Sequence, residues 1–422
     1  MTSPGLLLWI AFGIIAQLAI FLGIAFWRHW RNYAALKEHS NGGVSAPEMG
    51  APIIEKARGN SWAGFRPFKV VRKVIEDGAQ SICSFYLEPE DRKPLPIFLP
   101  GQFLTFRLEV PAATGGTEQI VRCYSLSDAP HLDRYRISVK RVPAPRGSVA
   151  PPGRSSNHFH NHVEVGTTLQ VRAPSGHFHI DHGDAPVVLI GGGIGITPML
   201  SMLNGCLVEQ PGREIWLFYG VRNSHEMVMK AHLDALAAAN PNFHLRLCFS
   251  NPLPDDQLIR NYQHRGHVDV SLLRMELPLK PYHFYICGPS YMMETLVPAL
   301  EDWGIPDSRI HFEAFGPASV KRRNAPSTPP DLAADQGAGV AVTFAKSGKQ
   351  FVWNAGAGSL LEFAEANGIS VDSGCRAGSC GTCQTTIRSG EVAYRQTPDY
   401  DPEPGTCLLC VCTPKTRVTL EI

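Results

Sequence analysis

The chain has 422 residues, 44% of them hydrophobic and 18% charged, which is enough for two to four domains with real cores. A formal net charge of +1 excludes binding to nucleic acid through bulk positive charge. Eleven cysteines, five scattered singly and six within the last 48 residues, read as a metal site in a reducing compartment and not as a disulfide framework.

The first element is the run from Leu6 to Trp27, which has no charge and one polar residue, Gln17. Roughly 20 apolar residues span a bilayer as a helix. The five residues before it carry no Lys or Arg, unlike the basic start of a signal peptide. Arg28, Arg31 and Lys37 follow it, beside Trp27 and Trp30 as interface anchors. The expectation is a single transmembrane helix over 5–28 in the cytoplasmic membrane, with everything after it in the cytoplasm. Residues 29–63, polar and rich in Gly, Pro and Ser, read as a linker.

Residues 64–181 show short alternating runs, such as Gln102 to Leu108 and Tyr135 to Lys140, punctuated by Pro and Gly. That pattern predicts an antiparallel β-barrel or sandwich. At the end of one apolar strand stands Arg122-Cys123-Tyr124-Ser125-Leu126-Ser127. Arg, an aromatic and Ser in alternation put a cation near a phosphate and a ring against a flat cofactor. Ile137-Ser138-Val139-Lys140 follows in a second strand. Gly153-Arg154-Ser155-Ser156-Asn157 then precedes a helix-like stretch, offering N–H groups and a hydroxyl to a phosphate. Six histidines fall between 158 and 182; His158 and His162 have the i, i+4 spacing of a metal pair, but the plainer reading is polar decoration.

Residues 185–317 carry four continuous apolar runs, at 186–190, 215–221, 244–250 and 283–289, separated by helical patterns. Fully apolar strands alternating with helices predict an α/β doubly wound parallel sheet. Gly191-Gly192-Gly193-Ile194-Gly195-Ile196-Thr197-Pro198 follows the first run and opens a helix, with Thr197 expected as N-cap and Pro198 at N1. Its glycines let the backbone approach a pyrophosphate at a helix N-terminus, although the spacing is not G-x-G-x-x-G. After the second run, Arg222 and Ser224 could hold a 2′-phosphate, and no acidic residue stands directly at the strand end.

Residues 318–338, rich in Pro, Ala and Asp, read as a second linker, and 339–422 as a third unit. Ser359-Leu360-Leu361-Glu362 predicts a capping box, and Asn367-Gly368 the end of that short helix. Cys375, Cys380 and Cys383 then have the C-x4-C-x2-C spacing of a plant-type [2Fe–2S] loop. Two irons need four thiolates, so a fourth must come from elsewhere. Cys407, Cys410 and Cys412 are the candidates; Cys410 and Cys412 would share a strand face, so geometry does not choose between them. A zinc site would pair C-x2-C with a second such pair or a His pair, which is absent.

These motifs carry a resemblance. The tail resembles a plant-type ferredoxin domain, which implies an α+β β-grasp fold. In that family the last ligand follows an apolar pair and precedes a proline four residues on, as Cys410 does after Leu408-Leu409 and before Pro414. Residues 64–317 resemble the ferredoxin–NADP reductase family, including flavohaemoglobin-type and oxygenase-type reductases. That resemblance implies an FAD-binding domain over 64–181 and an NAD(P)-binding domain over 185–317. It places Arg122 and Ser156 on the FAD pyrophosphate, Tyr124 on the isoalloxazine and Ser125 near its N5. Gly153, Ser155, Ile137, Val139 and Lys140 belong to the same cofactor set. Gly193, Gly195 and Thr197 match the family's G-x-G-x-T-P form, and Cys287-Gly288-Pro289 its nicotinamide-lining turn. Glu313-Ala314-Phe315-Gly316 resembles the family's terminal motif beside the flavin.

The implied protein is a membrane-anchored reductase using FAD, a [2Fe–2S] cluster and NADH, with NADPH as the alternative donor, and serving a redox partner protein. Reduction of a quinone or another small acceptor, or redox sensing at a membrane, are the other functions compatible with the sequence. No signalling or DNA-binding module is visible for the last of these.

Overall fold

The structure is a computed structural model that describes residues 62–315 and 339–422, with short breaks at 63, 113–114, 145–146, 148–150, 372, 375, 377, 379–380, 396–397, 399 and 401. All of them belong to one unit, Glu55–Ile422. Among the described residues no helix is long and apolar enough to cross a membrane. The apolar run 6–27 and both linkers, apart from Trp62, lie outside them.

The first layer is antiparallel. Strands β1 (Arg66–Ile75), β2 (Ile82–Pro89), β3 (Phe103–Pro111), β4 (Thr117–Ser125), β5 (Tyr135–Lys140) and β6 (Thr168–Ser175) pair in the order β4-β3-β6-β1-β2-β5. A bridge between Leu126 and Ile137 joins the two edges and closes a barrel, so the barrel reading holds over a sandwich. Helix α1 (Arg154–His162) plugs one end with Phe159, which is fully buried and packs edge-on against Phe85, Phe106 and Tyr124 at 5.0–5.5 Å. Burial of one such ring is worth about 2–3 kcal/mol.

The second layer is a parallel sheet. Strands β7 (Val187–Gly192), β8 (Ile215–Val221), β9 (Phe243–Phe249), β10 (His264–Arg265), β11 (His283–Gly288) and β12 (Ile310–Ala314) run β10-β9-β8-β7-β11-β12. Helices α2 (Ile196–Glu209), α3 (Lys230–Ala239), α4 (Val270–Glu276) and α5 (Ser290–Asp302) connect them. The four apolar runs of the sequence form the four central strands. β7 has no exposed residue because it is covered on both faces. Strand order reverses between β7 and β11. The turns that leave these two strands therefore splay apart and open a crevice at the switch point.

The third layer is a mixed sheet of β13 (Val340–Phe344), β14 (Lys349–Trp353), β15 (Gln384–Ser389), β17 (Thr406–Leu408) and β19 (Val418–Leu420), in the order β14-β13-β19-β15-β17. Between β14 and β15 lies α6 (Leu360–Ala366), whose capping box of Ser359 and Glu362 is formed as the sequence predicts. A small ribbon of β16 (Val392–Tyr394) and β18 (Cys412–Pro414) stands beside the sheet. Leu360, Leu361, Phe363 and Ala364 of α6 bury against Val342, Phe344, Val418 and Leu420, the β-grasp arrangement.

Three local expectations need correction. α2 starts earlier than the sequence suggests. A 3-10 turn over Gly193–Gly195 leads into it, and Gly195 is the N-cap. Thr197 stands inside the first turn, its hydroxyl donating to the Ile194 carbonyl at 3.0 Å. The segment 153–157 does not precede α1 but forms its first turn, with Gly153 as N-cap. Cys410 does not share a strand face with Cys412, because it lies in the turn between β17 and β18.

Candidate functional site

The end of β4 carries the flavin-type motif. Arg122 gives one guanidinium N–H to the Val121 carbonyl at 2.7 Å. The Tyr124 hydroxyl shares a 2.7 Å hydrogen bond with Ser155 in the first turn of α1. Burial pushes the Tyr124 phenol up to about 12, so it stays a neutral donor at any physiological pH. The Ser156 hydroxyl accepts from the Val142 N–H and donates to the Gly153 carbonyl, both at 3.2 Å, which ties the β5 exit to the start of α1. No side chain caps the N–H groups of that first turn. Ile137 and Val139 turn their side chains into the barrel core. The Val139 carbonyl is held by the His160 ring at 2.8 Å. Lys140 reaches across to Glu226 at 4.0 Å. This set of a cation, a neutral phenol and free helix N–H groups fits a phosphate-bearing flavin.

The nucleotide crevice is built by close backbone approach. A Cβ on Gly195 would run into the Cys287 carbonyl, and one on Gly192 would lie 2.8 Å from Met292 Sδ and Pro289 Cδ. Glycine is required there because the turn after β7 packs directly on the turn at Gly288 and Pro289. Gly193 holds a positive φ of 54°. Cys287 is fully buried, and burial raises its thiol well above the usual range, so it remains an uncharged thiol. Cys287 and Glu313 are cross-strand partners on β11 and β12. Glu313 in turn meets the barrel: the Ser125 hydroxyl donates to it at 3.5 Å. The two candidate sites therefore share one seam. Phe315 stands exposed just beyond it, and Gly316 lies outside the described residues.

Sequence reasoning missed the acidic groups after β8. Glu226 forms an ion pair with Arg222 and is more buried than its partner. Asp256 accepts from the Ser224 N–H at 3.3 Å. The i, i+4 spacing of Arg222 and Glu226 was a readable signal, whereas Asp256 arrives from a distant loop.

In the third layer, Cys375 and Cys380 lie outside the described residues. Cys383 is 3% exposed at the mouth of β15. The loop before it curls through positive φ at Gly378 (76°) and Gly381 (72°). Thr382 Oγ1 is buried with no hydrogen-bond partner among the described residues, a donor suited to a cluster sulfur. The turn bearing Cys410 lies against this loop: the Leu409 N–H donates to the Cys383 carbonyl at 3.3 Å, and Val411 packs on Gly378. Cys407 and Cys412 instead stand in the apolar core, both fully buried, whereas Cys410 is half-buried. Tyr400 covers Gly381, and its ring meets the Arg172 guanidinium of β6 at 5.1 Å, joining loop and barrel.

Three domain families match the chain. Residues 68–180 match the oxidoreductase FAD-binding domain, 189–297 the oxidoreductase NAD-binding domain and 342–415 the 2Fe-2S iron-sulfur cluster binding domain. The flavohem-like FAD/NAD-binding domain of nitric oxide dioxygenase from Vibrio cholerae is 30% identical with a TM-score of 0.52; the match covers 60% of this chain and 99% of that one. The chain is a member of the ferredoxin–NADP reductase family. It joins FAD-binding and NAD-binding oxidoreductase domains to a C-terminal 2Fe-2S cluster binding domain. Phthalate dioxygenase reductase, a modular structure for electron transfer from pyridine nucleotides to [2Fe–2S], is 27% identical with a TM-score of 0.50, over 85% of this chain and 98% of its own. The flavohemoproteins of Halalkalibacterium halodurans and Bordetella pertussis are 39% and 40% identical over 61% and 63% of this chain. The chain spans 62% and 64% of their lengths.

The geometry around Cys410 generates a prediction. Cys410→Ser should abolish the visible [2Fe–2S] absorption while FAD stays bound. Cys407→Ser and Cys412→Ser should retain it. A cluster that survives Cys410→Ser and disappears with Cys412→Ser would transfer the fourth ligand.

Proposed function

We propose that this protein is a membrane-anchored, NADH-dependent reductase that delivers electrons one at a time to a partner protein of the oxygenase, desaturase or hybrid-cluster type. The observation that carries the reading is the Ser125–Glu313 contact, which sets the end of the barrel strand against the end of the nucleotide sheet. When bound, FAD takes a hydride from NADH and releases single electrons, and a [2Fe–2S] centre takes one electron at a time.

In this reading the chain's own work is positional. Arg122, Ser155 and Ser156 hold the phosphate end of the flavin, and Tyr124 fixes the ring without adding charge. Gly193, Gly195 and Thr197 admit the dinucleotide backbone, while Cys287, Gly288 and Pro289 wall the nicotinamide. Glu313 meets Ser125 across the seam, and Phe315 stands exposed beside it. Cys375, Cys380, Cys383 and Cys410 bind the cluster. Supporting a protein acceptor is the likeness to phthalate dioxygenase reductase, which spans all three domains. Supporting the anchor is the charge-free run from Leu6 to Trp27 with bases only after it.

Three outcomes test this. Cys380→Ser should leave bleaching of FAD by NADH and ferricyanide reduction intact, and slow reduction of a one-electron protein acceptor at least about tenfold. Wild-type delivery to the protein acceptor by that variant would remove the cluster as the exit port. Full-length protein should sediment with membranes from lysed cells, and a variant lacking residues 1–30 should be soluble with unchanged ferricyanide activity; full-length protein found in the soluble fraction would refute the anchor. NADH should be preferred, because the carboxylates of Glu226 and Asp256 crowd Arg222 and Ser224 and disfavour a 2′-phosphate. Glu226→Gln should then raise kcat/KM for NADPH by roughly tenfold, and an unchanged ratio would locate the preference elsewhere.

A further inference from the structure

A polar chain crosses the seam between barrel and nucleotide sheet. It begins inside the barrel, where the Ser84 and Ser138 hydroxyls share a 2.7 Å bond and Ser138 and Ser127 one of 2.9 Å. Arg136 Nε donates to the Ser127 hydroxyl at 3.2 Å, and Arg136 Nη1 stands 3.4 Å from the Asp128 carboxylate. On the far side, Asn204 of α2 donates to Asp128 Oδ1 at 2.9 Å, and His232 of α3 donates to the Asn204 carbonyl at 3.1 Å. The Ser201 hydroxyl adds a 2.8 Å bond to the Asp128 backbone carbonyl. Arg136 and Asn204 are 7% and 8% exposed, and Ser201 is fully buried. Buried polar groups linked this way rigidify only while each keeps its partner.

The ends of this chain matter. Asp128 is three residues beyond Ser125, the last residue of the strand that faces the flavin site. Asn204 is seven residues beyond Thr197 on the helix that opens the nucleotide crevice, a stiff lever about 10 Å long. A shift of α2 at Asn204 therefore moves the Gly195 turn, together with the Cys287 and Gly288 turn on which it packs, against Ser125 of the barrel.

We propose that Asp128 and Asn204 are positioning residues for hydride transfer: their contact sets the distance between the nucleotide crevice and the flavin strand. The proposal rests on the reductase reading of the seam. It predicts a defect in the transfer step and not in NADH binding. Misplacement of reacting groups by about 1 Å costs up to ~100-fold in rate.

The test uses the full-length holoenzyme and a charge swap. Asn204→Asp sets two carboxylates face to face across the seam. It should slow NADH reduction of the bound FAD roughly tenfold or more in stopped flow, with KM for NADH within about twofold of wild type. The double variant Asp128→Asn with Asn204→Asp restores one carboxylate and one amide, and should recover the rate to within about threefold. Amide hydrogen exchange, measured without NADH, should quicken in 196–209 for Asn204→Asp and return in the swap. If Asn204→Asp does not fold, Asn204→Ala removes the bond without adding charge and should lose roughly threefold or more in the same step. A wild-type rate in either single variant, a swap as slow as Asn204→Asp, or a loss carried wholly by KM would overturn the proposal. Failure of wild-type NADH to bleach FAD would count against the reductase reading instead, and the exchange measurement would still judge the contact.

Discussion

Hydride transfer tolerates almost no gap. The two carbon or nitrogen centres have to meet at about 3–3.5 Å with aligned orbitals. In the proposed reading that constraint explains the arrangement of the first two layers better than any property of either one alone. β4 ends at Ser125, β12 ends near Glu313, and the two side chains touch. Beside them the fully buried Cys287 presents a small, uncharged wall, which occupies little space and adds no competing charge. The Gly195 turn lies so close to β11 that no side chain fits between them.

The seam is held by polar contacts as well as by apolar packing. Apolar surfaces resist separation but slide with little change in energy, whereas hydrogen bonds fix a register. On one side α2 meets Asp128. On the other, the β1–β2 turn meets the segment after β8, where Ala79 N–H donates to the His225 carbonyl at 2.8 Å and Met229 N–H to the Glu76 carbonyl at 3.2 Å. Two hydrogen-bonded attachments on either side of a crevice define its width as one attachment cannot. Burying Arg136 in this seam is costly, and its bonds to Ser127 and Asp128 together with the Tyr86 ring 5.9 Å from its guanidinium offset the desolvation.

What the sequence made legible follows from locality. The four apolar runs became the central parallel strands because a strand buried on both faces needs continuous apolar residues. The capping box at Ser359 and the C-x4-C-x2-C spacing are contained within a few residues and were readable without the fold. β12 was not, because Ile310–Ala314 is a short edge strand whose pairing with β11 is set by tertiary contact. Thr197 looked like an N-cap since Thr-Pro usually opens a helix, but the preceding 3-10 turn took that role for Gly195. Cys407, Cys410 and Cys412 were indistinguishable by alternation, because the turn between β17 and β18 breaks it: Cys410 lies half-buried in that turn, while Cys407 and Cys412 stand fully buried in the two strands. Asp128 and Asn204 gave no sequence signal, since their meaning exists only where two domains meet.

The third layer obeys a different constraint. Single electrons cross several ångströms of protein without contact between the reacting atoms, so a cluster domain does not need the registered seam that a hydride donor needs. The chain reflects this in its connections. Residues 176–186 join the last barrel strand to the first strand of the nucleotide sheet, whereas the longer stretch 315–339 lies between the nucleotide sheet and the cluster domain. Among the described residues the Arg172 guanidinium of β6 lies 5.1 Å from the Tyr400 ring and 4.8 Å from the Phe65 ring, so one cation joins the cluster loop to the barrel. A cation over a ring brings two surfaces together without fixing one atom against another. That is enough where a single electron has to cross, and too little where a hydride has to.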